Sequence, residues 1–267
     1  LYDFDPDRDA LATDAMEEVD RFALARYAAV ATRMRAAYDA YDFPAAFHAL
    51  NGLATVDLSA FYFDVSKDRM YTFGAASRAR RSGQQAMFLM ADGLVRLVAP
   101  LLPVTADELW RSLPGSREDC VHLAEFPADL SRWGDPGLVS RWEALLHVRE
   151  AVLPAIEALR QQKLIGQSLE AHVTLTATGD TWTLLDHYRS DLPMLFITSS
   201  VTLQHGEGAD ALRIEVTRAA GEKCPRCWRY VPRLTTTEPW AGLCPRCVDA
   251  IGMAPALVPA DGPPGTR

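Results

Sequence analysis

Two short motifs near the C-terminus hold the residue types best suited to chemistry: Cys224-Pro225-Arg226-Cys227 and Cys244-Pro245-Arg246-Cys247. Sixteen residues separate them, a spacing that fits a two-knuckle zinc site. In each motif a tight turn lets two sulfurs reach one ion, and the loop between them brings up the second pair. The four bonds of about 2.3 Å then complete a tetrahedron. Four thiolates leave no position open to water or substrate, so one structural Zn(2+) per chain is expected, held by Cys224, Cys227, Cys244 and Cys247. Two disulfides or a redox Cys-x-x-Cys are the competing readings, but neither explains why the doublet is repeated. Cys120 is left as an odd thiol, which suits a reducing compartment, and a cytoplasmic location is expected.

A second set of candidate residues is basic. The 267-residue chain carries a net charge of −8, which argues against indiscriminate coating of nucleic acid. The charge is uneven, however. Residues 67–96 hold Lys67, Arg69, Arg78, Arg80, Arg81 and Arg96 against Asp68 and Asp92, a local +4. Residues 218–248 hold Arg218, Lys223, Arg226, Arg229, Arg233 and Arg246 against Glu222 and Glu238, again +4. Two basic islands on an acidic body suit selective contact with a structured polyanion. The competing reading of each island is an ordinary solvated face.

Helical periodicity dominates the elements that must position these groups. From about Ala10 to Tyr41, apolar residues from Met16 to Tyr41 recur at three- and four-residue steps, with Asp14 and Glu17 as a capping pair. Pro44 suits the first turn of a second helix, whose expected apolar face runs through Phe47, Leu50, Ala54, Leu58, Phe61 and Tyr62. A third helix is expected over Ser77–Leu102. Beyond Pro103, Thr105-x-x-Glu108 reads as a capping box for a short helix with Leu109 and Trp110. Short connections imply an antiparallel bundle. Residues 114–136 lack periodicity and mark a boundary. A fifth helix spans roughly Leu138–Lys163, with Pro154 as a kink.

After Gly166 the pattern changes. Val173–Thr176, Phe196–Leu203 and Leu212–Val216 read as strands, and Trp182–Tyr188 as a short helix. The expected fold is mostly α, an antiparallel helical bundle followed by a small α/β unit and a four-cysteine zinc knuckle. Its expected domains are 1–135, 136–217 and 218–252, with a disordered tail at 253–267. No apolar run approaches the roughly 20 residues that would span a membrane, so none is expected to be crossed. No phosphate loop, H-E-x-x-H or G-x-S-x-G is present, and the six histidines are scattered. No catalytic residue is expected.

Several motifs carry a family resemblance: Asp57-Leu58-Ser59-Ala60-Phe61-Tyr62, then Lys67-Asp68-Arg69-Met70-Tyr71 and Arg80-Arg81. Ala99-Pro100-Leu101-Leu102-Pro103-Val104-Thr105-Ala106-Asp107-Glu108-Leu109-Trp110, Val121-His122-Leu123, Lys163–Ala171 and Cys224-Pro225-Arg226-Cys227-Trp228 follow. In this order they resemble the anticodon-binding helical domain of class I aminoacyl-tRNA synthetases, most of all bacterial-type isoleucyl-tRNA synthetase, over residues 4–252. The last two motifs separate that enzyme from its valyl and leucyl relatives.

The resemblance implies a parent that charges tRNA-Ile with isoleucine using ATP. Its catalytic domain, with ATP and Mg(2+), and its editing domain would lie upstream of residue 1. The chain opens Leu1-Tyr2-Asp3 without Met, so a fragment of a longer, monomeric protein is expected, unable to aminoacylate alone. Its implied work is to hold the anticodon stem-loop, which asks for phosphate-facing cations and planar groups against unstacked bases. The implied contacts are Lys67, Arg69, Arg78, Arg80, Arg81, Lys223, Arg226, Trp228, Arg229 and Arg246, with Tyr71 beside them. The rival reading is a non-enzymatic zinc-ribbon module that binds nucleic acid or a protein.

Overall fold

A computed structural model describes residues 3–207 and 212–252; the tail expected at 253–267 lies outside the described residues. The first long helix, α1 (Glu18–Asp39), buries Val19, Phe22, Ala23, Tyr27, Val30 and Met34 along one side, as the periodicity requires. Its expected capping pair does not form. Instead Ser82 caps the entry from across the bundle, its hydroxyl accepting the Glu17 backbone N–H at 2.8 Å.

Asp42 caps α2 (Phe43–Gly52), with Pro44 in its first turn. The chain then continues without a break through a π-helical stretch, Leu53–Tyr62, into α3 (Phe63–Thr72). That wider stretch explains a misplaced face. A constant 3.6-residue period turns Phe47 and Ala54 inward, but both are exposed and Leu53 is buried instead. The inward step from Leu53 to Leu58 spans five residues, the phase slip that π geometry produces.

Next come α4 (Arg78–Val98) and α5 (Pro103–Ser112). Pro103 opens α5 rather than merely interrupting the chain, so Thr105 falls inside the helix and caps nothing, and Leu109 faces solvent while Trp110 is buried. Asp135 caps α6 (Pro136–Gln161), which runs through Pro154 as one element and buries Trp142, Leu145, Val148, Val152 and Ile156.

Three strands form the sheet: β1 (Ala171–Ala177) in the centre, parallel to β2 (Ser200–His205) and antiparallel to β3 (Arg213–Arg218). The parallel crossover runs through α7 (Gly179–His187) and the single turn α8 (Leu192–Leu195). Phe196 ends that turn instead of opening β2, which starts at Ser200. Alternate β1 residues Ala171, Val173, Leu175 and Ala177 are fully buried, while His172, Thr174 and Thr176 face outward.

One apolar core runs from Met16 to Leu203, continuous across residue 135. Trp142 of α6 stacks on Phe22 of α1 with ring centroids 5.6 Å apart, and the Tyr188 hydroxyl donates to Glu18 at 2.5 Å. A hairpin of β4 (Glu222–Lys223) and β5 (Tyr230–Val231) and the last helix, α9 (Pro245–Gly252), complete the described chain. No helix among the described residues is long and apolar enough to cross a membrane.

A polar cluster inside the bundle fixes where α3 lies. Asp20 of α1 is fully buried and accepts from both terminal nitrogens of Arg69 at 2.9 and 2.7 Å, from the Tyr62 hydroxyl at 2.7 Å and from Ser82. Burial, reinforced by Asp20, pushes the Tyr62 phenol well above its ordinary pKa, so it stays a donor. Four bundle segments, α1, the π-helical stretch, α3 and α4, meet at this one carboxylate.

Candidate nucleic-acid interface

The four C-terminal cysteines converge. All are buried and free, and their sulfurs lie within 4.8 Å of one another. Cys224 Sγ is 3.8 Å from Cys247 Sγ, and Cys227 Sγ is 3.7 Å from Cys244 Sγ. A tetrahedral ion with bonds of about 2.3 Å puts its sulfurs about 3.8 Å apart. Disulfides would need about 2.05 Å. The donor set therefore fits a metal ion and not paired disulfides. Burial opposes ionisation of Cys224, but the backbone amides of Cys227, Cys244 and Arg226 outweigh it and bring that thiol down to about 6. Such amide-to-sulfur bonds prepare a thiolate for a cation.

The first knuckle is the turn of the β4–β5 hairpin. Gly221 opens it at φ +98, where a side chain would collide with the Val231 carbonyl at 2.1 Å. Trp228 closes the turn in the same left-handed region, at φ +63, its backbone N–H donating to the Cys224 carbonyl at 2.8 Å. A bulky residue is rare there. Trp228 is nonetheless 55% exposed, so it does not sit packed beneath the knuckle.

The knuckle is docked on the end of α3 by its own arginines. Arg229 donates to Asp68 Oδ2 at 2.9 Å, and Arg246 grips both oxygens of Asp68 at 2.5 and 3.0 Å. Arg226 donates to the Thr72 carbonyl at 2.6 Å, and the Thr72 hydroxyl donates to Asp68 at 2.8 Å. Burial would raise Asp68, but its hydrogen bond from Arg246 and the charges of Arg229 and Arg246 hold the carboxyl below its usual range. On the other side, the Tyr230 backbone N–H donates to Ser199 Oγ at 2.7 Å, fastening the hairpin to the α/β unit.

Two cavities flank this docking contact. On one side an open groove of about 380 Å³ runs between α3 and the knuckle, with Leu169, Met194 and Ile197 as floor and Tyr71, Trp228 and Lys67 among its walls. Tyr71 is 81% exposed. On the other side a cleft of about 480 Å³ is lined by Glu17, Glu18 and Asp191 opposite Arg229 and Arg246. Burial, with Glu17 and Glu18 nearby, raises the Asp191 carboxyl above its usual pKa. The apolar groove suits a flat ring; the acidic cleft does not suit a phosphate.

The two basic islands are thus brought together, but many of their cations face inward. Arg69 is 4% exposed and bound to Asp20, so it has no surface to offer a ligand. Arg80 holds Asp3 at 3.0 Å, and Arg81 holds the Asp3 carbonyl and Gln84 at 2.6 and 3.0 Å. Arg226, Arg229 and Arg246 are half-buried in the docking contact. The expected place of these six is the ligand side; in the structure each is bound to carboxylate, carbonyl or amide oxygens of the chain itself. Lys67 and Arg78 remain about two-thirds exposed, in loose pairs with Asp64 and Glu17. Lys223 is exposed, 4.0 Å from Glu170.

Sequence reasoning does not single out Asp68 and Thr72, nor the groove residues Leu169, Met194 and Ile197. The partners of Asp68 lie 161 and 178 residues away, beyond any local pattern.

Comparison with known proteins agrees with this geometry. Residues 20–175 match the family model described as the anticodon-binding domain of tRNA ligase. The chain is similar to isoleucine–tRNA ligases from Syntrophotalea carbinolica (43% identical over 256 residues) and Geobacter sulfurreducens (42% over 259). It is also 37% identical over 263 residues to the isoleucine–tRNA ligase of Geobacillus thermodenitrificans. These matches cover 93–94% of this chain and 28% of each relative, so the chain spans just over a quarter of the length of the relatives it matches.

Proposed function

Because the chain belongs to the anticodon-binding domain family of tRNA ligases, we propose that it holds the anticodon arm of tRNA-Ile as part of an isoleucine–tRNA ligase. The observation that carries this reading is the groove between α3 and the knuckle. Two exposed aromatic rings, Tyr71 and Trp228, stand at an apolar floor with Lys67 on the rim. Unstacked loop bases are held in this way, by stacking on aromatic faces while cations meet the flanking phosphates. The acidic cleft on the far side of Asp68 repels phosphate, so the arm approaches from the groove side, where Lys67 lies. Arg78 and Lys223 are the further exposed cations assigned to phosphates. The six inward arginines act through folding.

The ion in the knuckle is assigned as zinc. Four thiolates at tetrahedral spacing suit it, and with no open position its part is to hold the turn that presents Trp228.

The test is tRNA binding by the 267-residue chain. Preference for tRNA-Ile over other tRNAs is expected, with affinity falling steeply as salt rises. Trp228→Leu should weaken binding by about 1–3 kcal/mol, the usual value of one base–aromatic stack. Leucine meets the same left-handed backbone constraint, so the exchange isolates the ring. A Trp228→Leu chain that keeps its metal and melting temperature but binds tRNA-Ile like the parent refutes the stacking role. Equal binding of all tRNAs refutes the assignment to tRNA-Ile.

A further inference from the structure

The three knuckle arginines all bind the end of α3, and one of them also reaches a cysteine. Arg226 Nη1, which donates to the Thr72 carbonyl at 2.6 Å, also lies 3.5 Å from Cys247 Sγ. Arg246, bidentate on Asp68, is next in sequence to Cys247, and Arg229, also bound to Asp68, is two residues from Cys227. The Arg226 guanidinium is therefore shared between the thiolate cluster and the end of α3, while Arg229 and Arg246 tie backbone positions beside the ligands to Asp68. A site of four thiolates holding a divalent ion carries two surplus negative charges, and these arginines are the cations placed to balance them.

Orientation is what the arginines cannot supply themselves. A free arginine has many rotamers, and one turned to solvent serves no thiolate. Asp68 fixes two of the three, and the Thr72 carbonyl, on the same turn of α3, fixes the third. Asp68 is itself held by the Thr72 hydroxyl and stands on a helix anchored from behind through Arg69 and Asp20. The knuckle has little else to rely on: among the described residues, the apolar side chains packed against the four cysteines are Val231, Leu234 and Leu243.

We infer that Asp68 is a positioning residue of the metal site: from 161 residues upstream of Arg229 it holds the ligand-bearing turns on the end of α3 through Arg229 and Arg246. It thereby strengthens metal binding without touching the ion. Linkage makes the effect reciprocal, so the bound metal in turn clamps the knuckle to α3 and sets the width of the groove. Metal content and groove geometry are one equilibrium. The inference rests on the assignment of zinc to the knuckle.

Zinc affinity of the 267-residue chain, measured by competition with a chromophoric chelator, tests it. Removing an outer partner of a metal site commonly lowers affinity about 10–100-fold. Asp68→Ala is expected to fall in that range at an unchanged stoichiometry of one zinc per chain. Asp68→Asn, which keeps the shape and one acceptor but no charge, should fall between it and the parent. Glu222→Gln removes an exposed carboxylate only two residues from Cys224 and should leave the affinity unaltered. Hydrogen exchange gives the reciprocal reading: stripping zinc from the parent should speed exchange of the amides at the end of α3, and in Asp68→Ala it should not. Zinc affinity in Asp68→Ala within twofold of the parent overturns the inference, as does an equal loss in Glu222→Gln, which would mean unspecific charge. A parent chain that binds no zinc overturns the metal assignment, and this inference with it.

Discussion

Cys227→Ser is expected to strip the chain of its metal, unfold the segment after about residue 218 and leave the helical bundle intact. Apparent binding free energies for structural zinc in such knuckles are on the order of 10–16 kcal/mol, and that energy is folding energy. Nothing else in the segment can replace it. Three partly buried aliphatic side chains pack against the cysteines, and the hairpin is two residues long on each side. A two-stranded hairpin of that size does not stand alone in water. The bundle, by contrast, keeps the separate core that runs from Met16 to Leu203. Three readouts should move together: zinc content to zero, fast exchange of amides from 222 to 252, and loss of the tRNA affinity proposed to depend on Trp228. The thermal transition of the bundle should hardly shift. A Cys227→Ser chain that retains one zinc, or whose knuckle amides stay protected, contradicts the assignment of all four cysteines as ligands.

What the sequence shows plainly is what depends on near neighbours. Two cysteines three residues apart must share a turn, so the convergence of the four cysteines is legible from spacing alone. The faces of α1 and α6 are legible because a constant helical period links their buried residues. Phe47 and Leu53 are misassigned because the chain passes into π geometry between them, and no single residue in that stretch announces the change. The capping boxes fail for a related reason. Ser82, from 65 residues away, takes the place expected of Asp14, and Pro103 starts α5 two residues before Thr105. The surroundings of the arginines are the least legible part. Charge counting sees Arg69, Arg226, Arg229 and Arg246 as surface cations, since their carboxylate and carbonyl partners lie 49 to 178 residues distant. Those separations are set by the fold, not by any local pattern. Trp228 is legible as a candidate ring but not as an exposed one; its left-handed backbone and its exposure appear only in three dimensions.

Asp20→Ala is expected to destabilise the bundle by about 3–5 kcal/mol, the usual cost of leaving one member of a buried ion pair without its partner. Asp20 is fully buried and Arg69 nearly so; the other hydrogen bonds of the arginine among the described residues are to the Ala79 carbonyl at 3.2 Å and the Ser66 hydroxyl at 3.2 Å. Tyr62 and Ser82 lose their acceptor in the same step. At roughly 2–4 °C per kcal/mol for a chain of this size, the melting temperature should fall by about 6–20 °C. Removing both charges should cost less than removing one, because no unpaired ion remains, so Asp20→Asn with Arg69→Met should recover part of the loss. The comparison with Asp68→Ala is the sharper test. Arg69 and Asp68 are neighbours on α3, one turned into the bundle and the other toward the knuckle. The helix is thus held from both sides by adjacent residues doing different work. Asp20→Ala should lower the melting temperature of the bundle, whereas Asp68→Ala should lower zinc affinity and leave that temperature nearly as it was. If both variants melt early to the same extent, the two contacts form one cooperative unit, and the separate function assigned to Asp68 falls.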